Sequence, residues 1–196
     1  AGYAPLFAER SLDDDALQSV RAAVDQVLKG HEPFPALAVD RHWNLVAHNA
    51  LVPMLMAGAA PELVQAPINV LRLSLHPDGL ASRIANLAQW RAHLLERLQQ
   101  QIAATGDAML QALHDELEAY PTPSVSHDAP AANTELSGVV VPFQLVTPNG
   151  VLSFISTTTI FGTPVDVTLQ ELAVESFFPA DAQTAAALTA LAAQPT

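Results

Sequence analysis

Apolar residues divide the chain into stretches of two different periods. Leu17, Val20, Val24, Val27 and Leu28 recur at steps of three and four, the spacing of one helix face. Ser11-Leu-Asp-Asp-Asp stands before them, offering a capping hydroxyl and acidic residues where the helix dipole favours them. The pattern predicts a helix over residues 11–30, with Lys29-Gly30 as its stop. Two short apolar runs follow, Ala36–Val39 and Leu45–Ala47, and the polar turn Asp40-Arg-His-Trp-Asn44 joins them as a pair of strands. Helix resumes at Asn49, which suits a cap, and runs to Met56. Gly58–Pro67 is a loop, Asn69–Leu75 a helical turn, and His76-Pro-Asp-Gly79 a tight turn. Ile84, Leu87, Trp90, Leu94, Leu98 and Ile102 form one stripe, so Ser82–Ala104 is predicted as a long amphipathic helix. Thr105-Gly-Asp107 breaks it, and Met109, Leu110, Leu113 and Leu117 mark a second helix ending before Pro121.

Pro121–Thr134 is rich in Pro, Ser and Ala without periodicity and predicts a mobile loop. Val139–Val146 and Val151–Phe161 are β-rich, and Thr147-Pro-Asn-Gly150 between them has the residues a hairpin turn needs. Val165–Val167 supplies a fifth short strand, and Thr168–Leu172 and Ala180–Ala193 are helical. The sum is an α+β fold: a five-stranded antiparallel sheet with helices inserted after the second strand and helices flanking it at both ends. No internal repeat is visible.

A chain of 196 residues that is 50% apolar and 14% charged can bury a sizeable core as one domain. Eight basic residues among twenty acidic ones, a net charge of −12, cannot form the phosphate-neutralising stripe that nucleic acid binding requires. The absence of cysteine fits the cytoplasm, and no apolar run reaches the length of a membrane span.

Candidate chemistry is sparse. His114, Asp115 and Glu116 are consecutive, so on a helix they point to different faces and cannot share a metal ion. His93 and Glu96 have no second pair nearby. Ser126-His127-Asp128 falls in the predicted loop, where no fixed triad geometry is available. No hydrolase elbow, P-loop or dinucleotide fingerprint is present. The reading is a non-enzyme without metal or cofactor. Arg72 stands out because it interrupts Leu71, Leu73 and Leu75, where a charge needs a partner. That partner is either a ligand's carboxylate or a group of the protein, a backbone carbonyl or an acid such as Asp40. The hydroxyls of Ser156-Thr-Thr-Thr159 either face a ligand from the sheet or simply suit a strand. His48 and Asn49 cap either a pocket or a helix.

Three blocks together carry a family resemblance. An Asp-Arg-His-Trp-Asn turn between two strands is how a PAS-type sensor opens its sheet. With Asn69-Val-Leu-Arg-Leu-Ser-Leu-His-Pro-Asp-Gly79, the Trp90 helix and Gly150-Val-Leu-Ser-Phe-Ile-Ser-Thr-Thr-Thr-Ile-Phe-Gly162, it resembles the ligand-binding domain of MmyB-like transcription regulators, from about Pro35 to Leu188. The resemblance implies a PAS-like sensor domain, its core at about residues 35–178, carried behind a helix-turn-helix that does the DNA binding. Nothing like that basic unit stands in this chain, which is read as one sensor domain over residues 1–196. It further implies a hydrophobic effector, a fatty acid or similar acyl chain, whose binding shifts packing through the N-terminal helix. A homodimer is expected because paired subunits match paired half-sites on DNA. In a PAS-like arrangement Met54, Met56, Trp90, Leu94, Phe143 and Phe154 would line the pocket. Arg72, then His93, with Arg91 beside them, are the candidates for meeting a carboxylate. A ligand-free dimerisation module and a small-molecule enzyme are the competing readings.

Overall fold

The computed structural model of the chain describes residues 18–121, 140–160 and 172–193. In chain order they form α1 (Gln18–Gly30), β1 (Ala36–Val39), β2 (Leu45–His48), α2 (Val52–Met56), α3 (Val70–Leu75), α4 (Leu87–Thr105), α5 (Ala108–Ala119), β3 (Phe143–Thr147), β4 (Gly150–Ile160), β5 (Ala173–Pro179) and α6 (Ala182–Ala192). Single 3-10 turns at Pro61–Val64 and Ala81–Arg83 sit in the connections. The strands make one antiparallel sheet in the order β2-β1-β5-β4-β3. This is the predicted α+β architecture: a curled five-stranded sheet, helices between β2 and β3, and a helix at each end.

Strand periodicity gives the sheet two different faces. On β1, Leu37 and Val39 point into the main core while Ala36 and Ala38 point the other way, toward Val24 and Leu28 of α1. Both alanines are completely buried, and their small side chains let α1 lie close to the sheet. Register carries the same division across the sheet. Glu175 stands opposite Leu37 and Thr158, and Phe143 opposite Phe154. The inner face therefore combines Leu37, Phe143, Leu145, Leu152, Phe154, Thr158, Glu175 and Phe177, covered by α3 and α4, against which α5 packs. Each large apolar side chain fully buried there contributes about 1.5–3 kcal/mol.

Several expectations are corrected. The predicted helix from Ser82 to Ala104 is two elements, because Ile84 turns extended against the edge of β3 and a turn at residues 85–86 separates it from α4. Ile84 bridges Leu145, the Ala85 N–H donates to the Gln144 carbonyl at 2.9 Å, and Asn86 Nδ2 donates to the Pro142 carbonyl at 2.8 Å. Pairing with the sheet edge satisfies those backbone groups as a helix would. The fifth strand is Ala173–Pro179, which the hydrophobic pattern did not reveal. Leu172 is not helical and leads straight into it. The strand expected at Val165–Val167, the rest of the helix expected over Thr168–Leu172, the cap at Ser11, and the loop after Pro121 with its Ser126-His127-Asp128 lie outside the described residues. Beyond β5, α6 closes the end of the sheet: Asp181 caps it by accepting from the Thr184 N–H, and the Thr184 hydroxyl accepts from the Ser153 N–H at 3.0 Å.

Candidate functional site

The turn between β1 and β2 is built around one carboxylate. Asp40 Oδ1 accepts from the N–H groups of His42 and Asn44, each at 2.8 Å, and Oδ2 accepts from Asn44 Nδ2 at 3.0 Å. These bonds hold Trp43 at φ 67°, a left-handed conformation that a bulky residue adopts only when its surroundings compel it. Asn69 secures the turn from the other side. It caps α3, accepting from the N–H groups of Leu71 and Arg72, and donates to the His42 carbonyl at 2.8 Å. Trp43 consequently points inward, with Nε1 donating to Gln101 Oε1 at 2.9 Å.

Behind Trp43, between the inner face of the sheet and α2, α3 and α4, is a cavity of about 90 Å³, measured as the space open to the centre of a water. That is roughly six to nine times the space one water needs. The lining is nearly all apolar, with Leu37 and Phe177 from the sheet, Leu45, Val52, Leu55 and Met56, Val70, Leu71 and Leu73 from α3, and Trp90 and Leu94 from α4. Two larger clefts, of about 760 and 630 Å³, lie outside it and mix polar with apolar walls. Both tryptophans of the chain line the inner cavity.

Its polar groups are few and already bonded to one another. Ser74 Oγ accepts from Trp90 Nε1 at 3.0 Å. Arg97 and Glu175 are the charged residues of the lining. The Arg97 guanidinium donates to Glu175 at 2.8 Å (Oε1) and 3.4 Å (Oε2) and to Thr158 Oγ1 at 2.8 Å, and it lies 4.8 Å over the Trp43 ring. Thr158 in turn donates to Glu175 Oε1 at 2.7 Å. Glu175 is only 4% exposed, on a central strand, where a buried carboxyl group is tolerated because it is paired and hydrogen-bonded. Arg97 and Trp43 also face the larger of the outer clefts, so they form a wall between cavity and exterior.

The sequence-predicted residues divide. Met56, Trp90, Leu94 and Phe143 line the cavity. Phe154 is fully buried behind Phe143, ring centres 6.0 Å apart, and does not reach the lining. Met54 is 41% exposed and belongs to the outer cleft beside α6. Arg72 does not line the cavity. Its Nε and Nη2 donate to Glu116 at 2.7–3.0 Å, which joins α3 to α5. Of the two roles open to it, the geometry supplies the acid of the protein, with Glu116 in place of Asp40. Arg91 donates to the carbonyls of Leu117, Glu118 and Tyr120 at the end of α5. His93 stacks near Trp90 at 5.5 Å. Burial, and then the Arg97 charge, lower its pKa from the ordinary histidine value, which disfavours a cation there.

Asn49, expected to open and cap the helix, does neither: α2 begins at Val52, with Leu51 at its N-cap and no side-chain cap bond. The Asn49 side chain accepts from the N–H groups of Ala36 and Leu51 and donates to the carbonyls of Leu28 and Phe34, tying α1 to β1. His48 is exposed. Of the polar run in β4, Thr158 is the residue that meets the site. His114, expected on a solvated surface, is buried, and neither ring nitrogen finds a hydrogen-bond partner among the described residues. No cluster of three metal-ligating side chains occurs among the described residues, and none of their helices is long and apolar enough to cross a membrane.

Arg97 and Glu175 escaped the sequence reading. Arg97 had a weaker signal: it sits seven residues after Trp90 beside the apolar stripe, next to Leu98 but with Glu96 directly before it. Glu175 had none while its strand was unrecognised.

A family model of the MmyB-like transcription regulator ligand binding domain matches residues 20–191. No curated protein matches the chain.

Proposed function

The chain belongs to the family of MmyB-like transcription regulator ligand-binding domains, and from that premise we propose that it senses a small, largely apolar effector held in the cavity between α2, α3, α4 and the sheet. That cavity is the observation that carries the reading: a hollow lined almost wholly by apolar side chains, with a few convergent polar groups, is what a small-molecule site requires. The family is one of regulators, not of enzymes. The resemblance implies a fatty acid or similar acyl chain; the acyl chain supplies an apolar body of the right kind, the cavity's size suits a short one, and the polar end is a separate question.

The signal has a short route. Leu37 lines the cavity and Ala36 and Ala38, its neighbours on β1, carry α1 on the opposite face. A ligand that binds one spacing of β1 and β5 better than another shifts the population of that spacing, and α1 sits one sheet thickness away. The domain acts in the cytoplasm, on a helix-turn-helix carried outside this chain, because its own net charge of −12 repels phosphate. It works as a homodimer, matching paired half-sites on DNA.

Native mass spectrometry of the purified protein tests the reading. The expected result is a 1:1 adduct of a small lipophilic molecule, lost on denaturation, or, in protein stripped of it, a thermal shift on titrating medium-chain amides, alcohols or acids. A protein with neither adduct nor shift would leave only the ligand-free dimerisation module.

A further inference from the structure

The charged wall of the cavity says which polar end a ligand can carry. Arg97 and Glu175 are the charged groups of the lining, and they neutralise each other through two contacts, with Thr158 donating to the same carboxylate. A ligand carboxylate brought against Arg97 would put two carboxylates on one guanidinium and leave the site with an uncompensated negative charge. Glu175 cannot step aside into water, because it is 4% exposed on a central strand, bracketed by Leu37 and Thr158. Like charges at such separations disfavour ionisation of one of the pair, and the net charge of −12 adds a long-range penalty for any anion.

A neutral end meets no such obstacle. Arg97 uses three N–H contacts on Glu175 and Thr158, out of the five N–H groups a guanidinium carries, so donors are left over for a neutral carbonyl or hydroxyl oxygen. Glu175 Oε2 holds only the 3.4 Å contact and has acceptor capacity for an N–H or O–H. Resting on the cavity reading above, we infer that Arg97 and Glu175 select an apolar molecule whose polar end is uncharged and both donates and accepts hydrogen bonds, an amide or an alcohol, and that they exclude the free carboxylate of a fatty acid.

Hexanamide and hexanoate are matched in shape and soluble enough to titrate, and Trp43 and Trp90, both on the lining, report occupancy by fluorescence. At pH 7.5 hexanamide should bind at least about tenfold more tightly than hexanoate. Between pH 7.5 and 5.5 the apparent affinity of hexanoic acid should rise about tenfold per unit, with uptake of one proton, since only its neutral form enters, while hexanamide changes less than about twofold. In Glu175→Gln, which keeps the shape and the acceptor but leaves Arg97 uncompensated, the preference should vanish or reverse. Hexanoate binding as tightly as hexanamide at pH 7.5, or an unchanged preference in folded Glu175→Gln, would overturn the inference. If that variant does not fold, the pH series on the unaltered protein decides by itself. Binding of neither probe, with both indoles unmoved, would overturn the cavity reading and this inference with it, whereas a preference for hexanoate overturns this inference alone.

Discussion

Trp43 concentrates several roles in one side chain. Its left-handed backbone costs a bulky residue roughly 1–2 kcal/mol, and the return is an indole that bonds Gln101, faces Arg97 and closes the cavity. Asp40 is what holds it there, since three of the turn's hydrogen bonds end on its carboxylate. Asp40→Ala should therefore act twice. Loss of partly buried bonds to a charged acceptor predicts a fall in stability of about 1–3 kcal/mol in urea unfolding. Release of the turn predicts a change in tryptophan emission in the folded protein and weaker hexanamide binding. A variant that lost stability but kept both the emission spectrum and the affinity would show that the turn does not position the indole.

Among the elements, α3 and α5 are joined by Arg72 and Glu116, with the Tyr120 hydroxyl donating to Glu116 as well. The hydrogen bond from Arg72 holds the Glu116 carboxyl below its ordinary range, against the opposing effect of burial. A lowered pKa contributes stability that is present above the unfolded value, about pH 4, and is lost as pH falls through the folded one. Both side chains are more than a third exposed, so solvent screening limits the pair to about 1 kcal/mol. Glu116→Gln and Arg72→Met should each lower stability by that amount at pH 7, and the difference from the unaltered protein should shrink below pH 4. Neither should alter ligand affinity by more than about twofold, and a tenfold loss in Arg72→Met would return Arg72 to the site. The same elements show what the sequence could reveal. Ala36–Val39 and the hairpin from Phe143 to Ile160 were legible because their apolar runs are bounded by turn residues, and α5 because its stripe is regular. β5 was not legible: Glu175 points inward and Ser176 outward, so polar residues fall on both faces and the period of two disappears. The break at residues 84–86 was hidden for the opposite reason. Ile84 continues the helical stripe in sequence while its backbone pairs with β3. At the site, Trp90 and Leu94 could be read from a stripe and Met56 and Phe143 from the PAS-like arrangement, but the charged wall depends on a long-range pairing of α4 with β5 that no local pattern encodes.

At the scale of the whole molecule, the homodimer proposed above needs a surface on which two copies can meet. Twenty acidic residues against eight basic ones set a general repulsion between copies, so association requires a face that carries little charge. Two helices offer one. The exposed positions of α6, among them Ala186, Thr189 and Ala190, are uncharged throughout, and α1 leaves Val27 45% exposed while Val24 and Leu28 are buried on the sheet. A two-fold contact repeats every substitution across its axis, so a glutamate introduced at its centre meets its own copy or another acidic surface. Sedimentation equilibrium of the unaltered protein should show a dimer at tens of micromolar. Ala186→Glu or Val27→Glu, whichever lies on the axis, should convert it to monomer at the same concentration, with thermal stability of the monomer otherwise within about 0.5 kcal/mol because both positions are exposed. Dimers persisting in both variants would place the contact on another face. A monomer in the unaltered protein at the highest attainable concentration would remove self-association from this domain.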